Sequence, residues 1–247
     1  MDLIITIYIW LLVLITFIAF LPVITLLFLF TFLFDKRLAA IHYFSSWWAM
    51  LYIWLNPLWS IQFEGRDKMK KNQTYVILSN HQSLLDIAIL YGLFFPYKWV
   101  TKVENFKIPG IGWIMILNRY LKVDRNKRET YLQMINDCEK SINNGSSVLL
   151  FPEGTRSRDG IIKNFKTGPF KAALQSMTPI MPVVIDGSNR ALKKNNFVFN
   201  GRQTFKVKVL DPIPYESFKD KNVKAITQEV REIMVQEYDK MKPAHAS

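Results

Sequence analysis

Two long stretches without charged residues occupy the first part of this chain. Residues 3–34 contain no charged side chain, and a second uncharged stretch covers residues 38–62. A helix over either stretch would be long enough to cross a hydrocarbon core of roughly 30 Å at 1.5 Å per residue. The pattern therefore predicts a membrane-anchoring helical hairpin over residues 1–62, followed by a separate folded domain over residues 63–247.

The two uncharged stretches differ in composition. The first is aliphatic and rich in phenylalanine, and Pro22 in its middle predicts a kink. The second carries rings that prefer the headgroup zone of a membrane: Tyr43, Trp47, Trp48, Tyr52, Trp54 and Trp59. We expect one arm to lie deep in lipid and the other to lie at the interface or re-enter it. Two full crossings remain an alternative.

Beyond the anchor, short apolar runs alternate with segments of helical periodicity. The predicted strands are 74–79, 98–103, 147–151, 181–185 and 204–210; the predicted helices are 84–93, 127–143, 169–175 and 223–241. This alternation favours an α/β domain with a mostly parallel sheet flanked by helices. Ligands of such sheets bind at the carboxyl ends of the strands.

Charge is concentrated in the second part of the chain. Residues 1–64 hold two basic and three acidic side chains, which leaves 30 basic against 17 acidic for the remainder. Such a surface attracts anionic lipid headgroups. Nucleic acid is not an expected partner, since no nucleic-acid motif accompanies the basic stretches. The positive flanks and the single cysteine, Cys138, favour a catalytic face on the cytoplasmic side of the cell membrane.

The first candidate for chemistry is a histidine followed by a carboxylate. His81 and Asp86 are five residues apart, where the predicted strand 74–79 gives way to a helix. A neutral imidazole accepts a proton near pH 7, and a neighbouring carboxylate fixes its tautomer. Positions i and i+5 of one helix do not face each other. The pair therefore requires His81 in the loop or the first turn, with Asp86 in the helix behind it.

A second polar block follows the strand 147–151. Residues 151–158 read Phe-Pro-Glu-Gly-Thr-Arg-Ser-Arg and include an acid, Glu153, and a glycine, Gly154, that permits a tight turn or a close approach. The guanidinium of Arg156 suits a phosphate group. Both blocks follow strands, so we expect them to converge at one edge of the sheet.

Together these blocks resemble the glycerolipid acyltransferase family, whose bacterial members include 1-acyl-glycerol-3-phosphate acyltransferases. Four ordered blocks carry the resemblance: Asn80, His81 and Asp86; Lys102, Glu104, Ile108, Pro109, Gly112 and Trp113, followed by Asp124 and Arg125; residues 151–157; and the apolar run 180–184 around Pro182. It covers roughly residues 60–215. Asn105, Gly110 and Ile111 depart from the usual residues without touching the proposed chemistry.

The resemblance implies a reaction and a role for each site residue. A fatty acyl group would pass from a thioester, either acyl-CoA or acyl-acyl carrier protein, to the sn-2 hydroxyl of lysophosphatidic acid, giving phosphatidic acid. His81 would be the general base and Asp86 its orienting group. The acceptor's phosphate and glycerol would contact Lys102, Arg125, Gly154, Thr155 and Arg156, and Glu153 would either bind a glycerol hydroxyl or hold one of those cations in place. No cofactor is implied, and His, Cys and the carboxylates show no metal-ligand spacing.

Three alternatives remain at this stage. The acceptor could be another lysophospholipid or glycerol 3-phosphate. A hydrolase could use the same His-Asp pair, although a Gly-x-Ser-x-Gly nucleophile motif is absent. The chain could also be a non-catalytic membrane protein that binds anionic lipids. Arg125, Arg156 and Lys102 could be structural or solvated cations.

Overall fold

A computed structural model describes residues 2–124, 128–157, 159–193 and 196–242. The helices are α1 (Asp2–Thr31), α2 (Ala39–Trp54), α3 (Asp86–Tyr91), α4 (Ile111–Leu117), α5 (Arg128–Asn143), α6 (Gly168–Gln175), α7 (Ser188–Ala191) and α8 (Val223–Met241). The strands are β1 (Trp59–Glu64), β2 (Val76–Ser79), β3 (Tyr97–Lys102), β4 (Leu121–Val123), β5 (Ser147–Leu150), β6 (Ile180–Asp186) and β7 (Gln203–Val209).

All seven strands form one sheet in the order β1-β7-β6-β2-β5-β3-β4. Every neighbouring pair is parallel except β6 and β7. The predicted α/β fold with a mostly parallel sheet is therefore confirmed. Because β2, β5 and β3 are parallel neighbours, the loops that leave their carboxyl ends meet at one edge of the sheet.

Two hydrophobic cores cover the two faces of the sheet. On β2, Ile77 belongs to the core that also contains residues of α1, α2 and α3. Its neighbours Val76 and Leu78 point to the opposite core, which contains residues of α5, α6 and α8. Side chains of a strand alternate between its faces, so a strand buried on both faces reads as a continuous apolar run. That is why the central strands were readable from the sequence.

The long apolar helix α1 packs on the α/β domain along its length. Near its start, the Thr6 hydroxyl accepts a hydrogen bond from the Phe199 amide at 3.0 Å. Near its end, Ile24 forms a small buried cluster with Leu38 and Ile41. Its outward face remains exposed and apolar, and only 11% of its most hydrophobic window is buried. Among the described residues it is the one helix long and apolar enough to cross a membrane.

The second arm of the predicted hairpin is shorter than its uncharged stretch. α2 has 16 residues, about 24 Å at 1.5 Å per residue, and its buried face includes Trp48 and Ile53. A transmembrane helix needs about 20 residues, so α2 is shorter than that length. The uncharged stretch continues into β1, whose residues pair in register with β7. The predicted boundary at residue 62 therefore falls inside a strand of the sheet.

Sequence reasoning missed the elements that carry weak patterns. β1 and β4 are edge strands, β4 has three residues, and α7 has four. α4 has seven residues, of which only Gly112 is buried, so it has no helical stripe of core residues to reveal it. The predicted helix 223–241 is observed with those bounds because its apolar stripe packs on the sheet.

Candidate active site

The candidate site is built around a contact between His81 and Asp86. His81 lies in the loop that leaves β2, and Asp86 is the first residue of α3. This loop brings the two side chains together across five residues, with His81 Nδ1 and Asp86 Oδ2 2.8 Å apart. An Nδ1–H that donates to the carboxylate leaves Nε2 as the proton acceptor.

Asp86 also fixes the loop that precedes α3. Its Oδ2 accepts hydrogen bonds from the backbone amides of Gln82 at 2.6 Å and Ser83 at 2.8 Å. The side chain is fully buried. The same carboxylate thus folds the loop and orients the imidazole, which couples the local fold to the geometry of the site.

The loop after β5 holds His81 from the other side. The Phe151 ring stacks on the imidazole with centroids 3.8 Å apart and planes 10° from parallel. Glu153 Oε1 accepts a hydrogen bond from the His81 amide at 2.8 Å, and the Ser157 amide donates to the His81 carbonyl at 2.8 Å. The ring and both backbone groups of His81 are therefore fixed by one segment, residues 151–157.

Glu153 is a brace between loops in this structure. Its second carboxylate oxygen accepts a hydrogen bond from the Lys163 amide at 3.0 Å, so both oxygens bind backbone groups. Burial raises the pKa of its carboxyl to about 7, against the opposing effect of the two amide donors. These contacts position His81. A contact of Glu153 with the acceptor's glycerol stays a prediction.

Gly154 makes the turn that places these groups. It has φ +73°, and its amide donates to the Phe151 carbonyl at 3.0 Å. A Cβ at this position would come within 2.9 Å of Cε of Lys166, whose side chain lies across the glycine. A side chain here would be strained by the backbone conformation and would also displace the lysine.

Of the predicted phosphate-binding residues, those that the structure describes lie at the same edge of the sheet as His81. Lys102 is the last residue of β3 and is exposed. Thr155 is exposed and Arg156 is half-buried, both in the loop after β5. Arg125 lies outside the described residues. Since β3 adjoins β5 and β5 adjoins β2, Lys102 and Arg156 flank the strand ends that carry the histidine.

The sequence did not reveal that three further residues position the loops of the site: Asn80, Phe151 and Ser157. The Asn80 side chain exchanges two hydrogen bonds with the backbone of Ile185, at 2.9 and 2.8 Å, and so ties the end of β2 to β6. Their membership in the motif blocks was visible in the sequence. Their contacts were not, because Asn80 and Ile185 are 105 residues apart in the chain.

Two other kinds of chemical site, a reactive thiol and a metal site, are absent from the described residues. Cys138 is buried, and burial raises the pKa of its thiol to about 12, so it is a core residue. Across the ranges that the structure describes, no group of three or more His, Cys, Asp or Glu side chains is placed to hold a metal.

Comparison with known proteins places the motifs in a family. The family model described as Acyltransferase matches residues 60–186, which include His81, Asp86 and the whole 151–157 segment. The chain belongs to this acyltransferase family. The resemblance predicted from the ordered motif blocks is thereby confirmed.

Similar sequences carry related names. A 1-acyl-sn-glycerol-3-phosphate acyltransferase of Chlamydomonas reinhardtii is 35% identical over 157 residues, covering 63% of this chain and 47% of that protein. The 1-acyl-sn-glycerol-3-phosphate acyltransferase of Saccharomyces cerevisiae is 32% identical over 179 residues, covering 71% of this chain and 58% of that protein. The chain thus spans about half the length of the curated relatives it matches.

A solved structure supports the fold of this acyltransferase-family chain. The crystal structure of the 1-acyl-sn-glycerophosphate (LPA) acyltransferase PlsC from Thermotoga maritima superposes with a TM-score of 0.81. The match covers 100% of this chain and 98% of that one at 21% sequence identity. The similarity therefore extends over the N-terminal helices as well as the α/β domain.

Proposed function

We propose that the protein transfers a fatty acyl group from a thioester to the free sn-2 hydroxyl of 1-acyl-glycerol 3-phosphate, giving phosphatidic acid. The observation that carries the proposal is the immobilised His81, whose Nδ1 is bound to Asp86 and whose backbone is held by residues 151–157. Family membership and the names of the similar sequences support the acyl acceptor.

His81 acts as the general base in this reaction. Nε2 takes the proton of the acceptor hydroxyl as its oxygen forms a bond to the thioester carbonyl carbon. The tetrahedral intermediate then collapses, the carbon–sulfur bond breaks, and the thiolate takes the proton back from the imidazolium. Asp86 stabilises the transient positive charge on the ring. No covalent acyl-enzyme is required, because a thioester is already activated.

The cations at the same edge bind the acceptor's phosphate. Arg156 is the principal candidate, because it follows the turn at Gly154 in the segment that fixes His81, and Lys102 at the end of β3 is the second. Arg125 is proposed from the motif resemblance alone. A guanidinium binds phosphate oxygens in pairs, which fixes the orientation of the glycerol as well as supplying affinity.

We further propose that the protein is bound to the cytoplasmic side of the cell membrane through α1. The start of the helix contacts Phe199, and the cluster near its end packs against Ile114 and Leu117 of α4. A helix held at both ends by one domain lies along the membrane surface more readily than across it. The exposed apolar face of α1 would then be immersed and the catalytic edge would meet lipid substrates at the surface.

The placement of α1 is tested by labelling a cysteine near its start. Asp2 is the charged first residue of α1, so it is expected to stay in water, whereas the native Cys138 is buried. A membrane-impermeant maleimide should label Asp2→Cys only from the cytoplasmic side of sealed vesicles. Labelling only from the opposite side would mean that α1 crosses the membrane.

The reaction is tested by acyl transfer with purified protein in detergent. Acyl-CoA and acyl-acyl carrier protein are supplied as donors, and lysophosphatidate, other lysophospholipids and glycerol 3-phosphate as acceptors. We expect lysophosphatidate to be acylated, and His81→Ala to lower the rate by about 10²–10⁴-fold, the usual loss for a general base. Consumption of another acceptor in its place would correct the substrate. An unchanged rate in His81→Ala would refute the role of the histidine, and acyl release to water without acceptor would indicate a hydrolase.

A further inference from the structure

A polar cavity lies at the edge of the sheet opposite the candidate active site. Its volume is about 250 Å³, and its lining includes Gln73 before β2, Pro96 before β3 and Ser147 at the start of β5. These residues lie at the amino ends of parallel strands, whereas His81 and residues 151–157 follow their carboxyl ends. Four strand residues separate the two edges by roughly 13 Å, so the cavity is distinct from the candidate active site.

The charge of this cavity is positive. Arg37 and Lys71 line it together with Tyr43, Asn72 and uncharged neighbours, and no carboxylate is among the lining residues. Neither cationic side chain forms a hydrogen bond or ion pair with any part of the chain that the structure describes. Two uncompensated cations beside amide and hydroxyl groups are suited to a phosphate group.

The position of Arg37 is fixed by the fold. Its carbonyl accepts a hydrogen bond at 2.8 Å from Nζ of Lys98, a side chain that is itself buried. The next residue, Leu38, is fully buried. The Arg37 side chain lies across Gly145, where a Cβ would come within 3.3 Å of Arg37 Cδ. Backbone and stem are thus positioned before any ligand arrives, which lowers the entropic cost of binding.

The mouth of the cavity adjoins the exposed aromatic face of α2. Tyr43 lines the cavity and is 41% exposed; Trp47 and Trp54 are 42% and 51% exposed. Residues spaced by four and seven lie on one face of a helix, and such rings favour the membrane–water interface. In the turn before Arg37, Phe34 is 74% exposed. Apolar surface therefore ends where the cations begin, as in the boundary between acyl chains and headgroups.

We propose that this cavity binds the phosphate of an anionic membrane phospholipid, with Arg37 and Lys71 contacting the phosphate and Tyr43 facing the glycerol. The site is separate from the acyl-transfer reaction and rests only on the proposed placement of the protein at the membrane surface. A lipid held at this edge fixes the rotation of the α/β domain about the anchor helix, which keeps the catalytic edge in one orientation to the bilayer.

Isothermal titration calorimetry measures the binding of short-chain phosphatidylglycerol to the full-length protein in neutral detergent. The variant is R37Q/K71Q, and the matched control is K36Q/K70Q, which removes the same charge at the preceding position in each case. Each basic residue near a headgroup contributes about 1 kcal/mol, so we expect binding to weaken about 30-fold in R37Q/K71Q and less than threefold in the control. Thermal unfolding checks that each variant is folded, and Lys71→Gln alone, at an exposed position, should weaken binding about fivefold.

Other outcomes would overturn the proposal. Equal losses in both double variants would indicate diffuse electrostatics, and no loss in either would place the lipid elsewhere. Phosphatidylcholine binding as tightly as phosphatidylglycerol would exclude recognition of charge, and inorganic phosphate binding as tightly would indicate a site for free phosphate. Acyl transfer measured on the same samples separates this result from the proposed function, since neither Arg37 nor Lys71 belongs to the catalytic edge.

Discussion

Replacing Asp86 with asparagine separates the two tasks of this carboxylate. In Asp86→Asn the amide oxygen takes the position of Oδ2, which accepts hydrogen bonds from His81 Nδ1 and from the amides of Gln82 and Ser83. The introduced amide nitrogen takes the position of Oδ1, which has no hydrogen-bond partner in the described structure. The substitution therefore retains the loop and the ring orientation while it removes the negative charge.

The expected effect on the rate follows from the contact distance. With Nδ1 and Oδ2 2.8 Å apart, the centres of charge of imidazolium and carboxylate are roughly 4 Å apart. Their attraction is then about 4 kcal/mol at an effective dielectric constant of about 20. The imidazole is charged only in the transition state, so this attraction is lost from the barrier and not from substrate binding. We expect kcat to fall by up to about 10³-fold with little change in KM.

The assay is the release of free thiol from acyl-CoA in the presence of lysophosphatidate, measured as initial rates over a range of acceptor concentrations. Asp86→Ala is the matched control, because it leaves the Gln82 and Ser83 amides without their acceptor. Each such group costs about 1–3 kcal/mol when it is buried, so this variant should lose thermal stability as well as activity. A kcat for Asp86→Asn within tenfold of wild type would show that His81 gains no charge in the rate-limiting step. Equal losses of stability in both variants would mean that Asp86 only holds the loop before α3 in place.

Three further predictions test the scaffold of the site. Burial raises the pKa of Glu153 from 4.5 to about 7, so the folded protein holds a proton that the unfolded chain has lost. The contribution of Glu153 to stability therefore falls by about 3 kcal/mol as the pH rises from about 4.5 to 7. The difference in unfolding free energy between wild type and Glu153→Gln should fall with pH in the same way. A difference that does not change with pH would contradict the raised pKa. Asn80→Ala leaves the amide and the carbonyl of Ile185 unpaired and should cost about 2–4 kcal/mol in chemical denaturation. A loss below about 1 kcal/mol would mean that these two hydrogen bonds add little to the parallel pairing of β2 with β6. Cys138, with its raised pKa of about 12, should react with thiol reagents only at the rate of unfolding, and rapid labelling of the native protein would contradict its burial.

The sequence by itself determined the family, the fold class and the candidate residues of the reaction. Central strands such as β2 and β5 are buried on both faces and read as apolar runs, and the 19-residue helix α8 carries a periodic stripe. The spacing of His81 and Asp86 also predicted the local structure, since the two side chains can meet only if a loop precedes the helix. Local patterns sufficed wherever the determining contacts are local.

Tertiary structure decided the contacts between distant segments. Glu153 lies 72 residues from His81, and only the folded chain shows that its carboxylate accepts hydrogen bonds from the backbone of two loops. β1 was missed for a related reason, because most of it is uncharged and it lies at the sheet edge, where its pairing with β7 makes it a strand. Likewise, Arg37 and Lys71 lie in separate segments, and only the folded chain brings them to one cavity. Such roles depend on pairing across the sheet, and pairing depends on the packing of the whole chain.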